Sequence, residues 1–132
     1  MARPLVLAIV EMGGYPNFTP LYQRAGFDVV VETRMRKAMN AIKKLQPRLI
    51  VAEFNFQSDF RDRTSSLESM LSVVERCPHT RVIVFYDREY AHQFQRLLAV
   101  RDFYRSFAFP IAEDELFDAV RALLDETPAA GR

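Results

Sequence analysis

Phe27-Asp28-Val29-Val30-Val31-Glu32 opens the stretch that decides the fold, and Gln46-Pro47-Arg48-Leu49-Ile50-Val51-Ala52-Glu53 closes it. Between them Met35, Ala38, Met39, Ile42 and Leu45 recur at intervals of 3, 1, 3 and 3, the stripe of a helix with one apolar side. The first run is rich in valine, and residues 49–52 are wholly apolar, as in a strand covered on both faces. The unit reads strand–helix–strand, with Thr33 as the helix N-cap and Glu53 at the carboxyl end of its second strand. Ligands and chemistry gather at that edge of open α/β sheets, which makes Glu53 the first candidate functional residue.

The same alternation extends in both directions. Residues 5–10 are continuously apolar and predict a first strand, followed by a loop over 11–16. Thr19-Pro20 starts a short helix through Ala25, which Gly26 closes. After a loop over 54–64, Ser65 and Glu68 have capping-box spacing, and Leu67, Met70, Leu71 and Val74 form the next stripe. A strand over 81–86 leads to Asp87, a cap for a helix striped by Tyr90, Phe94, Leu97 and Leu98. Residues 103–109 fit a fifth strand ended by Pro110. Glu113, Asp114 and Glu115 then open a last helix, where acids complement the macrodipole, with Leu116, Val120, Leu123 and Leu124 as its stripe. Five β–α units in succession predict a flavodoxin-like (βα)5 doubly wound fold, a five-stranded parallel sheet in the order 2-1-3-4-5 with helices on both faces. One domain over 1–126 and a flexible tail over 127–132 are expected.

With 132 residues, 49% apolar and 27% charged, the composition is that of a globular chain. The net charge of +1 lacks the basic excess of a nucleic-acid-binding domain. Arg34, Arg36, Lys37, Lys43 and Lys44 all fall on the second helix and read as its solvated face. The single cysteine, Cys77, allows no intramolecular disulfide or zinc-site spacing and reads as a small apolar residue. His79 and His92 are not spaced with acids or cysteines as metal ligands, and no catalytic triad is visible. No run of about 18 apolar residues is present, and the N-terminus reads as a strand and not a signal peptide, so a cytoplasmic location is expected. Gly13-Gly14 after the first strand can cradle a phosphate, although neither GxGxxG nor a Walker lysine accompanies it. A flavodoxin-like binder or enzyme holding a phosphate-bearing small molecule over residues 12–15 is therefore an alternative function.

Particular residues add a resemblance. Gly26-Phe27-Asp28-Val29, Ala38-Met39 and Pro47-Arg48-Leu49 resemble the glycine before strand two, the Ala-Leu pair of helix two and the Pro-Asp-Leu before the phosphoacceptor aspartate of bacterial response-regulator (CheY-like) receiver domains. Phe109-Pro110-Ile111 with Glu115-Leu116 is similar to that family's Lys-Pro-Phe and following acid-Leu pair. The resemblance places Glu53 at the phosphoacceptor position. It places Glu11 and Met12 at the two metal-holding acids, Tyr86 at the Ser/Thr that ends strand four, and Phe109 at the lysine before Pro110. The implied Phe109–Pro110 bond is cis, as the family's Lys-Pro is.

These departures have physical consequences. Phosphoryl transfer needs a metal and cations to offset the charge spread over the phosphoryl oxygens, and Mg²⁺ wants oxygen ligands. One acid after the first strand and a phenylalanine in place of the lysine supply neither. The expectation is a pseudo-receiver that is not an enzyme, with no cofactor, no metal and a degenerate pocket formed by Glu11, Met12, Tyr86, Phe109 and Pro110 around Glu53. Glu53 would either imitate the phosphorylated state, with less charge than a phosphate carries, or persist as an acid at a solvated strand end paired with Arg61 or Arg63.

Two surfaces are expected to carry contacts with protein partners. The loop after Glu53 interleaves Phe54, Phe56 and Phe60 with Arg61 and Arg63, side chains enriched at interfaces; the alternative is a loop folded over the vacated pocket. In receivers the usual partner and dimer face is helix four, strand five and helix five, which points to Tyr90, His92, Arg101 and Tyr104 here. Tyr104 fits the aromatic that moves with activation, and Phe107 reads as core. The implied function is a phosphorylation-independent module of bacterial signal transduction, acting through protein partners and a possible homodimer, without nucleic acid or membrane.

Overall fold

Parallel strands cannot be joined by tight turns; each needs a crossover, and helices provide them here. The computed structural model describes residues 3–11, 16–54, 66–99 and 103–125. Its elements run β1 (Leu5–Ile9), α1 (Thr19–Arg24), β2 (Asp28–Glu32), α2 (Met35–Leu45), β3 (Leu49–Glu53), α3 (Ser66–Val74), β4 (Arg81–Asp87), α4 (Ala91–Leu98), β5 (Arg105–Phe109) and α5 (Glu113–Asp125). The five strands pair in parallel in the order β2-β1-β3-β4-β5, the doubly wound arrangement that the β–α alternation predicts. The expected tail and the residue just before it lie outside the described residues, as does Ser65 of the expected capping box.

Side chains alternate across each strand, so the sheet divides the core in two. On one side Leu7, Ile9, Ile50, Ala52, Val82 and Val84 pack against α2, α3 and α4. On the other Val6, Ala8, Leu49, Val51, Ile83 and Phe85 pack against α1 and α5. The helical stripes point into these cores: Met35, Ala38 and Ile42 from α2, Phe94 and Leu97 from α4, and Leu116, Val120 and Leu123 from α5 are buried. Leu45 is the exception, 46% exposed as the last residue of α2.

Several boundaries differ from the sequence expectation. The N-cap of α2 is Arg34, in extended conformation and without a side-chain cap bond, so Thr33 does not cap it. Asp87 does cap, its Oδ1 accepting from the Glu89 amide at 2.9 Å, but what it starts is a 3-10 turn, Arg88–Tyr90, before α4 begins. Strands two and five start later than expected: the Phe27 amide is spent on the Tyr22 carbonyl, and Tyr104 makes one bond to Val82 before regular pairing begins at Arg105. Two positions use left-handed backbone. Gly26 has φ +108 between α1 and β2, where a Cβ would also meet Leu124 Cδ1 at 2.8 Å. Gln46 has φ 46 and ends α2, its amide bonding the Ile42 carbonyl at 2.9 Å. The Phe109–Pro110 peptide is cis.

Candidate functional site

The carboxyl edge of the sheet brings Glu53 into a setting that its sequence neighbourhood does not reveal. In β3 the odd-numbered residues Leu49 and Val51 face α1 and α5, so the period of two sends Glu53 to that same side. Its register partner on β4 is Phe85. The Phe54 amide donates to the Phe85 carbonyl at 2.8 Å, which extends the β3–β4 ladder one step past Glu53 and holds the strand end in place. Glu53 is 4% exposed, the one buried charged side chain among the described residues. A solvated strand end, one of the two expectations for this acid, is not what the fold makes of it.

A cavity of about 240 Å³ lies against Glu53. Its walls come from β1, β2, β3 and β4 together with the start of α1, including Ile9, Phe18, Val31, Val51 and Phe85. Phe18 and Phe85 meet edge to face at 5.7 Å, and Phe107 continues the aromatic chain behind Phe85 at 6.5 Å. Asn17 accepts from the Thr19 amide through its Oδ1 at 3.1 Å, which fixes the entry of the chain into α1. One turn on, Tyr22 closes the inner side, 2% exposed. Burial without a compensating charge pushes the Tyr22 phenol well above the usual tyrosine range, so it stays protonated. Glu53 is the only charged side chain among the described lining residues.

Of the residues that the resemblance gathers around Glu53, the described ones do not line its cavity. Tyr86 belongs to the opposite face of the sheet: it packs with the α2–α3–α4 core and stacks on Phe94 at 4.4 Å. Phe85, one residue earlier, takes the cavity side instead. Phe109 is 39% exposed at the end of β5, and Pro110 beside it is exposed as well. Glu11 is half-buried just beyond β1 and does not appear in the cavity lining, while Met12, Gly13 and Gly14 lie outside the described residues.

The two expected contact surfaces fare differently. Of the loop, Phe56, Phe60, Arg61 and Arg63 lie outside the described residues, and Phe54 packs inward against Phe94 at 5.2 Å. On the α4–β5–α5 side His92 is exposed, Tyr90 is half-buried and Arg101 is outside the described residues. Tyr104 is half-buried, its hydroxyl donating to the Ala119 carbonyl of α5 at 2.8 Å while the Arg105 guanidinium lies 4.6 Å over its ring. Phe107, expected as core, packs half-buried against the α1–α5 cluster. Sequence reasoning missed Phe18, Tyr22 and Phe85 as site residues. Phe18 and Tyr22 are four apart across the start of α1, a spacing that places both on one face and was available to find them.

No protein-family model matches the sequence, and a comparison with curated proteins finds no match. Solved structures do match. A response-regulator receiver domain from Clostridium thermocellum superposes with a TM-score of 0.72 at 12% identity, covering 95% of each chain. A response regulator from Burkholderia multivorans gives 0.64 at 21% identity, over 98% of this chain and 99% of that one. NtrX from Brucella abortus gives 0.72 at 17% identity, with 95% of this chain matching 27% of that longer protein. At these identities the likeness establishes architecture, and on that ground the chain has the receiver fold of bacterial response regulators.

Proposed function

We propose that the chain is a receiver-like signalling module that works without phosphorylation, through protein–protein contacts in bacterial signal transduction. The observation that carries this reading is the burial of Glu53, 4% exposed at the strand end to which the resemblance assigns the phosphoacceptor. A phosphoryl donor must approach its acceptor in line, with a metal and cations around it. Glu53 instead faces an apolar cavity, and the hydroxyl of Tyr86 is carried on a ring stacked on the far side of the sheet. The module is read as non-enzymatic and cytoplasmic. Its partner is a protein, met on the α4–β5–α5 side where His92 is exposed, and the same side serves a homodimer; nucleic acid and membrane are not partners.

The test uses acetyl phosphate with Mg²⁺, and separately beryllofluoride with Mg²⁺. The expected result is an unchanged intact mass and an unchanged amide spectrum. A gain of one phosphoryl group, or shifts centred on Ala52, Glu53 and Phe85, would overturn phosphorylation independence. Sedimentation of the same samples over a range of concentrations tests the dimer, which a single monomeric species throughout would remove.

A further inference from the structure

The cavity between α1 and the strand ends is about 240 Å³. An apolar cavity of roughly 150 Å³ is enough for benzene, and pockets for drug-sized ligands begin near ~300 Å³, so this one suits a single ring with a short side chain. It sits at the carboxyl edge by β1 and β3, where the strand order reverses and doubly wound sheets bind their ligands. Ile9, Phe18, Val31, Val51 and Phe85 give it apolar walls, and the exposed Asn17 and Thr33 mark its mouth.

The chemistry of the ligand follows from Tyr22. Its side chain lines the cavity from α1 and is 2% exposed, yet its hydroxyl has no acceptor among the described residues. Among those residues Gln93 Oε1 is the one fully enclosed side-chain polar atom without a partner, so the Tyr22 oxygen is not sealed in: it opens on the cavity that its ring lines. Burial also keeps the phenol protonated, which makes it a standing donor. A donor held in so apolar a place gains from any ligand that brings an acceptor. That ligand is uncharged, since an ion of either sign would exchange water for a mainly apolar wall. Glu53 adds no demand of its own: it is already engaged within the protein, and a neutral ligand does not depend on its charge. A ketone or ester accepts and donates nothing, so it satisfies the phenol without bringing a new unpaired donor into the cavity. We propose that this cavity binds a small neutral carbonyl compound, its ring between Phe18, Val51 and Phe85 and its carbonyl oxygen on the Tyr22 hydroxyl.

The site is tested on the full chain by following amide shifts while titrating acetophenone, ethylbenzene and benzoate. The first two share a shape and differ in the carbonyl. Acetophenone should give saturable shifts at Val51, Ala52 and Phe85, and benzoate should give none. Tyr22→Phe keeps the ring and removes the donor. It should weaken acetophenone about two- to tenfold, the worth of one hydrogen bond, and leave ethylbenzene within about twofold. The infrared carbonyl band of bound acetophenone should lie at lower frequency in the parent protein than in Tyr22→Phe, a signature of the hydrogen bond that altered packing would not give. Shifts that do not saturate, benzoate binding as tightly as acetophenone, Tyr22→Phe affecting both neutral ligands alike, or a carbonyl band unmoved by that substitution would each overturn the proposal. The acetyl phosphate result bears on phosphorylation alone, so the two readings fail separately.

Discussion

At the scale of single residues, the site is decided by how Glu53 and Tyr22 share one small volume between β3 and α1. Burying a carboxyl and a phenol together is expensive unless each is stabilised or kept neutral. For Tyr22 neutrality is the solution, since burial pushes its ionisation upward. This has a consequence for alkaline stability. In the unfolded chain the phenol loses its proton near the usual pKa of about 10, whereas the folded chain retains it. Below pH 10 both states are protonated and the stabilisation is fully present; above it, only the unfolded state gains by ionising, and stability falls as pH rises. Tyr22→Phe removes that component. Urea midpoints of the two proteins at pH 8 and pH 10.5 should therefore differ in gap, the advantage of the tyrosine shrinking by up to about 1.4 kcal/mol per pH unit. An identical gap at both pH values would show that Tyr22 ionises as freely in the folded protein as in the unfolded one.

At the scale of elements, what each segment is follows from local chemistry, and how it meets its neighbours does not. The interval pattern of α2, the apolar run of β3 and the acidic first turn of α5 are properties of a few consecutive residues, and all three elements stand where the pattern puts them. The N-cap of α2, in contrast, falls on Arg34 in extended backbone, so a good cap residue at position 33 goes unused. Tyr104 shows the same limit. As an aromatic beside β5 it reads as a contact residue, yet its hydroxyl ties β5 to α5 through the Ala119 carbonyl. Tyr104→Phe should cost about 0.5–1.5 kcal/mol in urea denaturation, the net worth of one such bond. A change below about 0.3 kcal/mol would mean that the bond contributes nothing beyond what water supplies.

At the scale of the whole molecule, the sheet keeps two cores apart while the strands couple them. Phe94 is the centre of one, with Tyr86, Phe103 and Phe54 rings at 4.4, 5.8 and 5.2 Å. Phe94→Ala should cost about 3–5 kcal/mol. In a cooperative domain that loss is felt everywhere, so the slowest-exchanging amides of β1 and α5 should lose as much protection as those of α4. Loss confined to α4 would mean that the two cores open separately. The sequence by itself determined the order of elements, the parallel sheet and the place of Glu53 at the end of β3, because periodicity and strand ends are encoded by neighbours along the chain. Only the tertiary structure decided that Glu53 is buried, that Phe85 and not Tyr86 stands beside it, and that Phe18 and Tyr22 close a cavity around it. Those outcomes depend on the register between strands distant in sequence and on the side from which α1 packs, and no local pattern specifies either.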